Sequence, residues 1–479
     1  MRSSSLFAAL ALSAPMLLVG VFVGCGSDSN NDDVMGGSSS GCVGFACDDA
    51  SACVGLQCNQ VTCEGGKSTS LKGVVLDPAG KVPIFNAVVY VPNSTVAPLS
   101  EGAACDRCDA KVSGEPIAIT NTDTSGAFTL TNVPVGAEVP VVIQIGKWRR
   151  QIKVPNVPRC EETPLDTGLT RLPRNRTEGD IPRIAIATGA ADPLQCLLKK
   201  VGIDDQEFGV AGSPARIHLY RGGGFNDKVA SSALADGTSF APAETLWNST
   251  AELSKYDVVL LSCEGVENDT PAHKPAESKQ ALYDYAKAGG RLFTTHYHHT
   301  FFSGSPDPAP KDVAVWADPE KVPPVLLPQP PATTPVFGEI VGTFEKAIAM
   351  KEWLTKQDAL QDGKLPMVDA RHNVDAVNPG GLSWISAPNA NLGDAPAIQY
   401  LSFNAPIGGA DDQVCGRVVF TNLHGGAGTE GALTDDPSLP YPTSCQTTEL
   451  SPQQKALEFM LFDLSSCVQK DDAPIQGPK

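Results

Sequence analysis

Fourteen cysteines in a chain of 479 residues constrain what this protein can be more than any other feature. A reduced cytoplasm seldom tolerates so many thiols, so the first reading is a framework of disulfides formed after export. Five of them crowd into Cys42, Cys47, Cys53, Cys58 and Cys63, a spacing without the paired CxxC of structural zinc sites. Cys105 and Cys108 do form a CxxC, in ACDRC. No thioredoxin-like βαβ pattern adjoins it, which favours a structural staple over a redox pair. Once Cys25 is set apart, an odd number remains, so at least one thiol is free, bound to something or paired with another chain.

Cys25 is set apart because Arg2 precedes an apolar run from Leu6 to Val23 that stops at Gly24-Cys25. The run contains Pro15 and barely reaches spanning length, so residues 1–24 read as an export signal rather than an anchor helix. The pattern resembles the signals of bacterial lipoproteins, which implies a lipid on Cys25. The expected location is the cell envelope, with the membrane as partner at the outer membrane or cell surface. Residues 25–41 are a Gly/Ser-rich tether and 42–66 a cysteine-rich segment. Lys and Arg total 36 against 54 Asp and Glu, a formal charge of −18, which argues against nucleic acid as a partner.

Residues 67–158 carry strand grammar without helical period. In VPVVIQIG, Val139, Val141, Ile143 and Ile145 alternate onto one face. After Gly146-Lys147, Trp148, Ile152 and Val154 do the same, which predicts a hairpin with one buried face. The runs LKGVVLD, NAVVYV and GAFTLTNV supply further strands, enough for a small all-β sandwich. GVVLDPAGKVPIFNAVVYV followed by TDTSGAFTLTNVPVG resembles the carboxypeptidase regulatory-like domain, a transthyretin-like fold. That resemblance implies a spacer or binding module without catalytic residues. An insertion from Pro92 to Ala118 carries the CxxC and reads as a stapled surface loop.

After a Pro- and Arg-rich linker at 159–180, strands and helices alternate over 181–467, ahead of a short tail at 468–479. IPRIAIAT, RIHLY, YDVVLLSC, RLFTTHY and GRVVFTNLH read as buried strands. Ser451-Pro452-Gln453-Gln454 reads as a capping box with Pro at the first helical position. Such alternation specifies an α/β sandwich with a mostly parallel sheet between helices. The segments KYDVVLLSCEG, ESKQALYDYAKAGGRLFTTHYHH and GRVVFTNLH resemble the ThuA-like branch of the class I glutamine amidotransferase-like fold. This implies a flavodoxin-like three-layer sandwich and an association with sugar utilisation.

In such sheets ligands collect at the carboxyl ends of the strands, where Cys263, Glu264, His296, His298 and His424 are expected. A Cys263–His424 pair with Glu264 is the candidate catalytic set. LSCEG lacks the first glycine of a nucleophile elbow, however, so a disulfide from Cys263 to a neighbour such as Cys196 is the favoured reading. His296 and His298, two apart on a strand, share a face and could hold a divalent metal with His424 and Glu264. Alternatively, Asp192, His296, Tyr297 and His298 line a neutral sugar pocket, with Tyr297, Phe301 and Phe302 as stacking rings. The backbone from Gly189 to Asp192 could face an anion. The proline-rich stretch 303–336 reads as a lid or a surface elaboration, and Arg371-His372-Asn373 as a source of polar contacts. Three functions stay open: a lipid-anchored binder or processor of a carbohydrate-related molecule, a metal-assisted or cysteine-dependent hydrolase, and an inert scaffold.

Overall fold

The structure is a computed structural model and describes residues 53–224, 229–317, 335–368, 370–389, 395–425, 435–436, 438–446, 449–470 and 473–477. The signal, Cys25, the tether, Cys42, Cys47 and residues 318–334 of the proline-rich stretch lie outside the described residues. Among the described residues no helix is long and apolar enough to cross a membrane.

Seven strands precede the α/β half: β1 (Ser70–Val74), β2 (Val88–Pro92), β3 (Pro116–Asn121), β4 (Ala127–Thr131), β5 (Gly136–Ile145), β6 (Trp148–Val157) and β7 (Glu162–Pro164). They form two sheets, β4-β1-β7 and β3-β2-β5-β6. The hairpin turns at Gly146-Lys147 as expected, with Ile145 opposite Trp148. Val139, Val141, Ile143 and Ile145 are all buried, as are Trp148, Ile152 and Val154. The opposite face is not open to solvent: Val88, Tyr90 and Val142 are buried against Val96 and Val112 of the insertion.

The second half is built on one mixed sheet. Its parallel part comprises β8 (Ile184–Ala187), β9 (Phe208–Val210), β10 (Ile217–Arg221), β11 (Ala241–Pro242), β12 (Val258–Leu261) and β13 (Arg291–Thr295). β14 (Ala314–Trp316) and β17 (Val374–Val377) pair with each other outside it. The sheet then runs antiparallel through β15 (Val336–Ile340), β16 (Leu365–Met367), β18 (Gly381–Asn389) and β19 (Ala395–Ala405). β20 (Gly416–Thr421) joins the two parts, parallel to β13 and antiparallel to β19. The order is β11-β10-β8-β12-β13-β20-β19-β18-β15-β16. Seven of its eleven strands run parallel, as the sequence leads one to expect for most of the sheet, and the antiparallel extension is the part that the sequence did not show. That extension comes from residues 336–405, where Pro366, Pro388 and Pro396 fall inside strands and weaken their signal.

The two halves share one hydrophobic core. Phe459 and Phe462 of the C-terminal helix (Pro452–Ser465) meet Phe85 and Trp148 of the β-rich half, with ring centroids 6.1 and 5.8 Å apart. The turn Asp77-Pro78-Ala79-Gly80 packs on Gly202, where a Cβ would lie 2.3 Å from the Ala79 nitrogen and φ is +104°. Only glycine fits that approach.

Disulfides complete the union. Cys53 pairs with Cys58 and Cys63 with Cys160. Cys105 pairs with Cys415 and Cys108 with Cys467. The CxxC is thus neither a redox pair nor a loop closed on itself; each cysteine ties the insertion to the α/β half. Cys196 bonds Cys445, which corrects the expected bridge to Cys263, and Cys263 is the one free cysteine among the described residues.

Candidate functional site

Parallel pairing aligns strand ends, so residues just past β8, β12, β13 and β20 gather at one rim. Cys263 follows β12, and its backbone N–H donates to Thr295 Oγ1 at 2.8 Å, fixing it beside the end of β13. Gly189 lies against it: a Cβ there would stand 2.1 Å from the Cys263 carbonyl oxygen, and the Ala191 N–H donates to that oxygen. The backbone expected to face an anion is thus spent in part on seating the thiol.

β13 ends at Thr295, and the chain turns sharply at His296, whose φ of +42° lies in the left-handed region. Few non-glycine residues adopt it, and such strain concentrates at functional sites. A short 3-10 helix, His296–His299, follows at once. The i, i+2 relation of a strand is therefore lost, and the two histidines diverge. His296 Nδ1 lies 3.2 Å from Cys263 Sγ, which also accepts from the Gly265 N–H at 3.4 Å. His298 Nε2 instead contacts the Ser262 carbonyl at 2.8 Å, and its ring packs on Trp247 and Phe301. The expected His296–His298 grip on one ion is corrected accordingly.

His424 arrives from beyond β20, its ring centroid 5.2 Å from that of His296. Cys263, His296 and His424 are all buried, with one potential ligand atom from each lying within 4.8 Å of the others. Two glutamines of the C-terminal helix hold this stretch of chain. Gln453 Nε2 donates to the His424 carbonyl at 2.9 Å and Gln454 Nε2 to that of Gly425 at 2.7 Å. Asp192 accepts from the Gly425 N–H at 2.7 Å, which makes it a brace for His424. The predicted capping box is present; its reach to the site went unread, because a capping pattern does not show what its free amide atoms touch.

Burial, then the nearby His424, hold His296 well below the usual imidazole range, so its ring is neutral. Burial likewise lowers His298 to about 3 and His299 to about 4. His296 Nε2 has no hydrogen-bond partner among the described residues, an uncommon state for a buried polar atom.

Glu264 turns away from this trio. Its carboxylate accepts from the Gly223 N–H at 2.6 Å, His273 Nε2 at 2.7 Å and Lys274 Nζ at 3.0 Å. Burial works to raise its pKa, but Lys274 and His273 outweigh that and hold it well below the carboxylate range. His273 also meets Glu244 at 2.5 Å, and its own pKa is raised by the two carboxylates against the pull of burial. Glu264 thus locks the loop after Cys263. His273 and Lys274 are site-shaping residues that the sequence, with its loop there, did not single out.

Tyr297 is half-buried, with its ring 3.8 Å from that of His296. The positive charge of Arg371 acts on both His296 and Tyr297, so the expected polar contribution of that segment falls near the trio. Phe301 and Phe302 are buried among Trp247, Trp316, Phe403 and Phe420, not available as stacking rings.

No family model matches the chain, and no curated protein does. Among solved structures it is similar to a ThuA-like protein from Bacteroides uniformis, at 10% identity over 51% of this chain and 82% of that one, with a TM-score of 0.27. A cytoplasmic protein from Salmonella typhimurium matches at 12% identity over 60% of this chain and 100% of that one, TM-score 0.28. The major pilin subunit of Bacillus cereus matches 23% of this chain and 31% of its own, at 11% identity and a TM-score of 0.14. These likenesses are too slight to assign the chain to a family.

Proposed function

We propose that this is an exported, lipid-anchored envelope protein with a ThuA-like α/β unit. That unit holds one divalent transition metal, zinc first among them, at Cys263, His296 and His424, and hydrolyses a carbohydrate-related small molecule. The observation that carries the reading is the trio itself: the one thiol left unbridged among the described residues, buried with two imidazoles within 4.8 Å. One cysteine sulfur and two imidazole nitrogens are a donor set that zinc favours, and three protein ligands leave a fourth position open. His296 Nε2, buried and without a partner among the described residues, fits the same account. A metal bound there would activate water for attack. The chain's own residues supply the rest: Tyr297 and Arg371 offer contacts for a polar ligand, while Asp192 and Gln453 hold the His424 segment. The carbohydrate class follows from the resemblance of the strand and helix segments to ThuA-like proteins. Export is supported by five disulfides among the described residues.

Metal analysis of the purified mature chain tests this. One equivalent of metal in the wild type, lost in Cys263→Ala and in His424→Ala, supports the reading. A wild-type chain that takes up no stoichiometric zinc, cobalt or manganese refutes it. The 3.2 Å contact between Cys263 Sγ and His296 Nδ1 favours one second reading, a thiol–imidazole nucleophile. That reading predicts metal-free protein whose Cys263 is rapidly alkylated by iodoacetamide.

A further inference from the structure

Two carboxylic acids meet at the junction of the two halves. Asp77 opens the turn that docks on Gly202; its Oδ1 accepts from the Lys81 N–H at 2.7 Å and the Val82 N–H at 3.1 Å. Its Oδ2 is buried and finds no donor among the described residues, and the same holds for both carboxyl oxygens of Glu458. Glu458 lies in the middle of the C-terminal helix, fully buried, and its carboxyl group is within hydrogen-bonding reach of Asp77. Two carboxyl groups so placed are satisfied only when a proton lies between them.

The charged groups around the pair do not replace that proton. Lys81 reaches Glu449 at 2.5 Å, and Lys455 Nζ donates to the Gln357 carbonyl at 2.8 Å. Arg171 forms a fork with Glu178, at 2.7 and 2.6 Å. None of the three makes an ion pair with Asp77 or Glu458 among the described residues. Burial lifts Asp77 to about 6, and it lifts Glu458 well above the carboxylate range with the Asp77 charge adding to it.

The same helix carries Gln453 and Gln454 at its start, the residues whose amides hold the His424 and Gly425 carbonyls. We propose that Asp77 and Glu458 share a proton that keeps the C-terminal helix seated on the β-rich half, so that its loss loosens the hold of Gln453 and Gln454 on His424. Glu458 is thereby a positioning residue for the site, and the β-rich half regulates that site through pH. This rests on the reading of Cys263, His296 and His424 as the functional centre.

The direction follows from linkage. Both groups bind the proton more tightly in the folded chain than in the unfolded one, whose carboxylates titrate near roughly 4. From there up through the folded values the native state holds the extra protons, so stability falls as pH rises.

The test uses the full disulfide-bonded chain, treated with chelator so that no metal enters the readout. Tm is measured from about pH 5 to about pH 8.5 for wild type, Glu458→Gln and Asp77→Asn. The amides keep a hydrogen bond without a titrating proton, and the second variant serves if the first folds poorly. In parallel, Cys263 is alkylated with iodoacetamide, and rates are compared between wild type and variant at each pH. The expected result is a wild-type Tm that falls across the range while the variant's stays level. The ratio of wild-type to variant alkylation rates should rise several-fold by the alkaline end. Parallel Tm profiles would overturn the acid pair as a switch. A ratio constant with pH would overturn its link to the site. Neither outcome bears on whether the trio binds metal, which is read separately by metal analysis.

Discussion

Cys263 Sγ lies 3.2 Å from His296 Nδ1, although 33 residues separate them along the chain. The contact exists because β12 and β13 run parallel in register, Leu261 opposite Thr294, and deliver their next residues to one rim. The strained turn at His296 then aims the imidazole at the thiol rather than along the strand. Each prediction below perturbs one support of that arrangement.

Gly189→Ala drives a methyl group to within 2.1 Å of the Cys263 carbonyl oxygen, which is backbone and cannot swing aside. The substitution should cost about 1–3 kcal/mol of stability, as overpacking typically does. Chemical denaturation measures the loss. Metal affinity or thiol reactivity should change with it, because the displaced segment carries Cys263.

Gln453→Ala removes the donor to the His424 carbonyl and the acceptor for the Val368 N–H, both buried. Leaving a buried polar group unpaired costs about 1–3 kcal/mol. Denaturation midpoints should show a loss in that range. Gln453→Glu, which keeps the acceptor but not the donor, should recover part of it at low pH, where the side chain is protonated and can donate.

Glu264→Gln leaves Lys274 buried beside a neutral partner. Breaking a buried pair by removing one charge costs about 3–5 kcal/mol. Because the pKa of Glu264 is depressed in the folded chain, its contribution is present above the ordinary carboxylate range and is lost as pH falls. The wild type should therefore lose stability on acidification more steeply than the variant, a comparison made by Tm against pH below about pH 5.

Non-reducing peptide mapping should recover Cys105–Cys415 and Cys108–Cys467 as separate cross-links, with Cys263 as a free thiol. Replacing Cys108 and Cys467 together by serine should cost about 2–5 kcal/mol, the usual range for a native bridge. A Cys105–Cys108 cross-link would contradict the arrangement described here.

Much of this architecture was legible in the sequence, and its omissions have physical causes. The β5–β6 hairpin and the Ser451 capping box carry local signals of period and turn chemistry. Those signals do not name partners. Phe85 on Phe459, and the two cross-links from ACDRC, depend on contacts hundreds of residues apart. The gathering of Cys263, His296 and His424 was expected from strand order. The divergence of His298 was not, because the strand had to end at Thr295 and nothing in HYHH marks a turn. Phe301 and Phe302 read equally well as ligand stackers or core, and the surrounding Trp247, Trp316 and Phe420 decide for core.

The central claim is that Cys263, His296 and His424 hold a metal, and titration of the chelator-treated chain with cobalt(II) tests it most directly. The account predicts saturation at one equivalent, with intense visible bands of tetrahedral cobalt and a near-ultraviolet thiolate charge-transfer band absent from Cys263→Ser. A spectrum that stays that of hexa-aquo cobalt, or a charge-transfer band that survives in Cys263→Ser, would contradict it.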